Sequence, residues 1–422
     1  MKKITIIVGV ILVLLVSTVC IIYTVRKNKI DHQHVSKAST SLLSIAVDDL
    51  LIDNVSSLWS WDTKRSKEDS SAGQLVKELI LDAGIAIPAR IYLFSTTPQK
   101  TDFYGILTID NYDDCFSFFA DHYKSGLNFI DKKQGLIHVK INKQIYVLFN
   151  KNFLVYKISP QASSEFEDLQ LLLEHPENWS QINALKGFEQ TKSSKHIQYV
   201  QKDKSLIIEA TVSKHKTEIE GEWRLAESLY SSMEVRKIDT NNQTLTFWNM
   251  LPLKEIPALS YLIRKYTGLD QESLQASYGN YFDLEIKPEL IIQQDTVISY
   301  TYDDNFNAVE QKQIQNVHVP YLVHTWKYSK SLDEVLPDRM FYKFHKKQMN
   351  QYLVNSTSTI LPKQVNQERT AYPFYCFIDF EKWPEPWMIS PFTLLKDKKV
   401  KVCIHTELKN INVLSIKGYV TY

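Results

Sequence analysis

Cysteine, glycine and an excess of charge of either sign are what this chain lacks. Four cysteines stand in 422 residues. With Cys20 set aside in an N-terminal apolar run, Cys115, Cys376 and Cys403 remain, an odd number that is no disulfide framework. Cys376 and Cys403 each sit in a short strand-like run, which leaves a bridge between them open. Neither Cys-x-x-Cys nor a Cys/His pair at zinc spacing occurs. With 11 glycines there is little material for a phosphate cradle, and no Walker loop or G-x-G-x-x-G is found. Lys and Arg number 49 against 48 Asp and Glu, a net charge of +1, which argues against a nucleic-acid partner. The G-x-S-x-G and H-E-x-x-H signatures are missing too.

One long apolar run is present. Ile4 to Val25 carries no charged side chain and is followed by Arg26-Lys27-Asn28-Lys29. As a helix it would rise ~33 Å, against a bilayer core of ~30 Å. A cleaved signal peptide would have a shorter apolar region ending in small residues. Ser17-Thr18-Val19 before Cys20 does not fit a lipoprotein signal. The expectation is therefore an uncleaved transmembrane helix, with the bilayer as partner through residues 4–25. The three-residue head is expected in the cytoplasm and the remainder outside it.

Over the whole chain, 44% hydrophobic and 12% aromatic residues indicate packed structure rather than disorder. The pattern predicts an α+β fold, a largely antiparallel-sheet ectodomain with packed helices. The divisions expected are a stub at 1–3, the transmembrane helix at 4–25, a polar tether at 26–40, and α+β units at 41–235 and 236–422. Strand, helix, Gly, strand recurs from Thr244 as it runs from Leu42, suggesting two related units. The strongest β signal is a meander, Leu136–Ile141, Ile145–Phe149 and Phe153–Ile158, joined by Asn142-Lys143-Gln144 and Asn150-Lys151-Asn152. Asn111 is placed to cap a helix bearing Tyr112, Phe116, Phe119 and Tyr123 on one face. Residues 164–190 read as helical.

Few clusters suggest chemistry. Asp303, Asn305 and Asn307 match the first three ligand positions of a calcium loop, but Ala308 replaces its glycine and Ile314 its bidentate Glu. A turn between two strands explains the same residues; the three are kept as candidate metal ligands, and no cofactor is expected. His318 and His324 share parity along a strand without a third ligand. His32 and His34 fall in the tether. Ser213-Lys214-His215-Lys216 matches S-x-x-K without its companion motifs and reads as a basic turn. Trp383-Pro384-Glu385-Pro386-Trp387 reads as a stiff lid over a core or an exposed recognition element.

Ser44-Ile45-Ala46-Val47-Asp48, Gly84-Ile85, Tyr104-Gly105-Ile106-Leu107, Tyr278-Gly279-Asn280-Tyr281 and Tyr302-Asp303-Asp304-Asn305-Phe306-Asn307 occur in this order. In that order the chain resembles an uncharacterised family of bacterial envelope proteins, domain of unknown function 4836. The resemblance implies an extracytoplasmic setting and, since the family has no established activity, transfers no catalytic residue. The combined expectation is a single-pass membrane protein carrying a non-catalytic envelope binding or scaffold domain, with an envelope protein as partner. The alternative is a membrane-anchored, hydrolase-like enzyme whose residues converge from distant parts of the chain.

Overall fold

The computed structural model describes residues 26–27, 30–53, 75, 78–79, 82–97, 102–159, 166–188, 193–229, 236–239, 243–302, 308–339, 342–360, 367–388 and 390–422. They belong to two compact units, Met1–Lys214 and His215–Tyr422.

The first unit contains β1 (His34–Ser36), β2 (Ser41–Ala46), β3 (Ile85–Ala86), β4 (Arg90–Ser95), β5 (Phe103–Ile109), β6 (Leu127–Asp131), β7 (Leu136–Lys140), β8 (Ile145–Phe149), β9 (Phe153–Ile158), β10 (Trp179–Gln181), β11 (Ile197–Gln201) and β12 (Leu206–Val212). Its helices are α1 (Val47–Asp53), α2 (Tyr112–His122) and α3 (Glu167–Glu174). The sheet is antiparallel and runs β12-β11-β2-β4-β5-β9-β8-β7-β6, with β3 also on β5; β1 pairs separately with β10.

Local chemistry explains the tight connections. Asn142 Oδ1 accepts from the backbone N–H groups of Gln144 and Ile145 at 2.8 and 2.9 Å, and Asn150 does the same for Asn152 and Phe153 at 2.9 Å each. These side-chain turns fix the meander's register. Asn111 Oδ1 accepts from Asp113 N–H at 3.0 Å, capping α2. Strand alternation then separates two cores. Ile137, Val139, Val147, Phe149 and Leu154 meet Cys115, Phe118 and Phe119 of α2. Ile106, Leu148 and Val155 meet Leu169 and Leu173 of α3 together with Val35 and Trp179 from the β1–β10 pair. Gly105 lies opposite Tyr156, and a Cβ there would run into the Tyr156 ring.

The second unit contains β13 (Lys216–Arg224), β14 (Arg236–Asp239), β15 (Leu245–Asn249), β16 (Phe282–Tyr302), β17 (Ala308–Lys327), β18 (His345–Met349), β19 (Tyr352–Ser356), β20 (Gln367–Thr370), β21 (Phe374–Asp379), β22 (Lys401–Asn410) and β23 (Val413–Thr421). Helices α4 (Pro257–Thr267), α5 (Gln271–Ser277), α6 (Lys330–Val335) and α7 (Ser390–Asp397) join them. The antiparallel order is β13-β23-β22-β21-β15-β16-β17-β19-β18, and β14 pairs with β20. Helices α4 to α6 pack Ile263, Leu274 and Leu332 against Phe282, Trp326 and Leu353. Gly268, at φ +75°, ends α4, and its N–H bonds Arg264 C=O.

Strands β16 and β17 are much longer than their neighbours, at 21 and 20 residues. After a register shift between Ile286 and Leu290 they stay paired from Leu290↔Pro320 to Tyr302↔Ala308. The flanking strands stop below this stretch: β15 pairs only Phe282–Ile286, and β19 only Val323–Lys327. Residues 290–302 and 308–320 thus form a two-stranded ribbon. One of its faces is held low down by Gln293, which donates to Lys343 C=O and Thr357 C=O at 2.7 Å each, and by Asp295, 3.1 Å from Arg339.

The fold class differs from the α+β expectation. The described residues are mostly antiparallel sheet, and their seven helices are short, the longest 11 residues. None is long and apolar enough to cross a membrane, so the expected N-terminal transmembrane helix has no counterpart among the described residues; residues 4–25 themselves lie outside them. Part of the helical pattern was absorbed by other structure. Among the described residues of 164–190 only Glu167–Glu174 is α-helix; Pro176 opens a 3-10 turn, and Trp179 starts β10. Residues expected as a tether carry β1, where Val35 is 0% exposed.

Candidate functional site

The first unit has a small cavity of about 160 Å³ lined by His32, Gln33, His34, Ala86, Pro88 and Asp110, with part of β5 as its floor. Gln33 builds it. Its Nε2 donates to Arg90 C=O at 2.6 Å and to Ile30 C=O at 3.1 Å, and its Oε1 accepts from Tyr92 N–H at 3.2 Å. The pairing of β1 with β10 then sets the His34 ring 5.6 Å from Trp179 and edge-on to Phe153 at 6.1 Å. Burial, and next the neighbouring His32, push the His34 imidazole below the usual histidine range, so it is neutral at pH 7. The cavity suits waters or a small ion, well below the ~300–1,000 Å³ of ordinary ligand sites. Among the described residues no group of three His, Cys, Asp or Glu side chains could hold a metal ion.

The other polar clusters of this unit are closed. His196 Nδ1 accepts from Val212 N–H at 2.9 Å, which puts its proton on Nε2, 2.8 Å from Asp53 Oδ2. Both ring nitrogens are therefore used, and neither is left to activate a nucleophile. Arg90 donates to Ser44 Oγ at 2.9 Å and to Ser193 C=O and Lys195 C=O at 3.1 and 2.6 Å. Lys157, with its side chain 2% exposed, lies 3.0 Å from Asp168 and 3.3 Å from Asp102. Tyr104 Oη donates to Asp168 at 3.0 Å and Ser159 Oγ to Asp102 at 2.6 Å. Burial lowers the Lys157 ammonium, but the hydrogen bonds and charges of Asp168 and Asp102 outweigh it and hold it above the usual lysine range.

In the second unit His324 is buried. Trp326 Nε1–H donates to its Nδ1 at 2.8 Å, and burial brings its pKa down to about 3. Its Nε2 and the Nδ2 of Asn355, directly opposite on β19, have no partner among the described residues. His318 lies farther along β17, exposed and opposite Ile292, roughly 20 Å from His324 by strand rise. The two histidines share parity but not a site. Asp303, Asn305 and Asn307, the candidate cation ligands, lie outside the described residues, between Tyr302 and Ala308. Ser213 to His215 separate β12 from β13. Trp383 and Trp387 pack as a lid: Trp383 lies against Phe380 and Phe392, and Trp387 Nε1 donates to Tyr342 Oη at 2.7 Å.

Among the described residues the thiols of Cys115, Cys376 and Cys403 are free. Register pairs Cys376 with Ile404 and Cys403 with Phe377, so the two cysteines point to opposite faces of β21 and β22. Burial pushes the Cys115 thiol up to about 12; burial and then Cys403 push Cys376 up to about 11. At pH 8 these two should react with an aromatic disulfide reagent at least roughly tenfold slower in the folded protein than in denaturant. Fast native labelling of either, read by peptide mapping, would contradict their packing.

Sequence reasoning missed the His32–His34 cavity. Its only local signal was the alternation of Gln33 and Val35 with the two histidines, a stretch too short to be told from a polar linker. No protein-family model and no curated protein matches the sequence. Among solved structures the chain is similar to TP0453 in crystal form IV, at 9% identity over 44% of this chain and 77% of that chain, and in crystal form I, at 10% identity over 46% and 78%. The TM-score is 0.28 in both cases, a likeness that carries no argument about function.

Proposed function

We propose that this chain is a non-catalytic binding or scaffold protein of a bacterial cell envelope, working outside the cytoplasm. The observation that supports this most is the state of the buried ionisable groups. His196 has both nitrogens engaged, and Lys157 is held between two carboxylates. Such arrangements fix a structure; a general base needs a free nitrogen or oxygen facing a substrate. The envelope setting rests on the short motifs in which the chain resembles the envelope family.

Two measurements test the reading. A reporter active only outside the cytoplasm, fused after Tyr422, should be active, and added protease should reach the protein in intact spheroplasts. An inactive, protected fusion would remove the envelope setting. A fluorophosphonate probe should leave the purified protein unlabelled; one labelled serine would replace the binding role with the hydrolase alternative.

A further inference from the structure

The ribbon of β16 and β17 exposes one face. Directly paired residues share a face, so Leu290, Ile292, Thr296 and Ile298 of β16 lie with Glu310, Lys312, Ile314 and His318 of β17. Ile292, Ile298 and Ile314 are 61%, 50% and 68% exposed. Isolated exposed aliphatics are ordinary, but three on one face of a ribbon are a patch. The other face is tied down only as far as Asp295 by the bonds of Gln293 and Asp295 described above. Two strands alone are marginally stable in water, and the outer edge of β17 from residue 308 to 319 pairs with no strand among the described residues.

We infer that the ribbon is the contact by which two copies of this chain associate, with the outer edges of β17 paired antiparallel about a twofold axis at residue 311. The charge pattern is what selects a second copy. Within one chain Lys312 Nζ sits 3.4 Å from Glu310 Oε1, and both side chains are exposed. An axis at 311 sets Glu310 of each copy opposite Lys312 of the other, two reciprocal ion pairs, and residues 308–314 pair along their length. Unlike charges directly opposed favour a strand pair and like charges oppose it. The contact is isologous, so it closes at two copies instead of extending into a fibre. A lipid surface fits less well, because the same face carries Glu310, Lys312 and His318 beside its isoleucines. This inference is independent of the proposed binding role and of the cavity in the first unit.

Sedimentation velocity of the full-length chain in mild detergent tests it. The wild type is expected to be a concentration-dependent dimer. Glu310→Lys and Lys312→Glu should each weaken the dimer roughly tenfold or more, since each sets like charges opposite one another. The double variant Glu310→Lys/Lys312→Glu restores opposite pairing across the axis and should recover the dimer. Unchanged thermal unfolding of the two single reversals shows that the unit remains folded. A wild type that stays monomeric at every concentration overturns the inference, whether or not it binds vesicles or an extended peptide. A dimer indifferent to both single reversals overturns it equally, because the contact would then lie elsewhere.

Discussion

As the pH falls from 6.5 toward 3, the second unit should lose roughly 4–5 kcal/mol of stability through His324 alone, at ~1.4 kcal/mol per unit of pKa difference. The sign follows from the proton. Burial lowers the folded pKa from 6.5 to about 3, so the unfolded chain binds the proton first. The contribution is complete above pH 6.5 and is lost progressively between 6.5 and 3. Carboxylates also weaken proteins in acid, so the measurement is a difference. Urea unfolding of the wild type and of His324→Leu, followed by tryptophan fluorescence at several pH values, should give a flatter acid limb in the variant. His324→Leu will be less stable at pH 7, by ~1–3 kcal/mol, because the Trp326 indole N–H loses its buried acceptor. Parallel pH profiles for the two proteins would mean that His324 reaches water in the folded state.

The second large effect belongs to Lys157. Replacing it by Met keeps most of the unbranched apolar stem and removes the charge that faces Asp102 and Asp168. Breaking a fully buried ion pair costs ~3–5 kcal/mol, because the abandoned charge stays buried. Asp168 is 37% exposed and water can reach it, so ~2–3 kcal/mol is the expected loss. A Lys157→Met/Asp168→Asn double variant should recover part of it, since one of the two carboxylates that lost the lysine is gone. If the double variant were as unstable as the sum of its parts, the lysine would matter only as packing against Tyr104, whose ring centre is 5.6 Å from its Nζ. In the wild type the raised Lys157 pKa works at the alkaline end: its contribution is full below pH 10.5 and is lost as the pH rises past it.

What was legible in the sequence was governed by local chemistry. The Asn142 and Asn150 turns and the Asn111 cap need only residues two or three places away, and the strands they bound were predicted nearly to the residue. Length was harder. Ribbon strand β16 is broken in sequence by Lys287-Pro288-Glu289 and again by Gln293-Gln294-Asp295, and Gln293 and Asp295 find their partners in Lys343, Thr357 and Arg339, far along the chain. The cavity and the polar clusters were not legible at all. His34 meets Trp179, His196 meets Asp53 and Lys157 meets Asp102 only through sheet pairing and layer packing between distant segments. No spacing along the chain encodes such neighbours.

The one-residue offset between Cys376 and Cys403 has a cellular meaning. Their side chains leave the sheet on opposite sides, so joining them would require β21 to slip along β22 and turn its whole apolar set over. Oxidation therefore offers these strands no second arrangement to fall into. Without a bridge to form between this pair, the unit should reach the same fold in a reducing compartment as in an oxidising one. Its yield should not depend on a thiol oxidase or a disulfide isomerase.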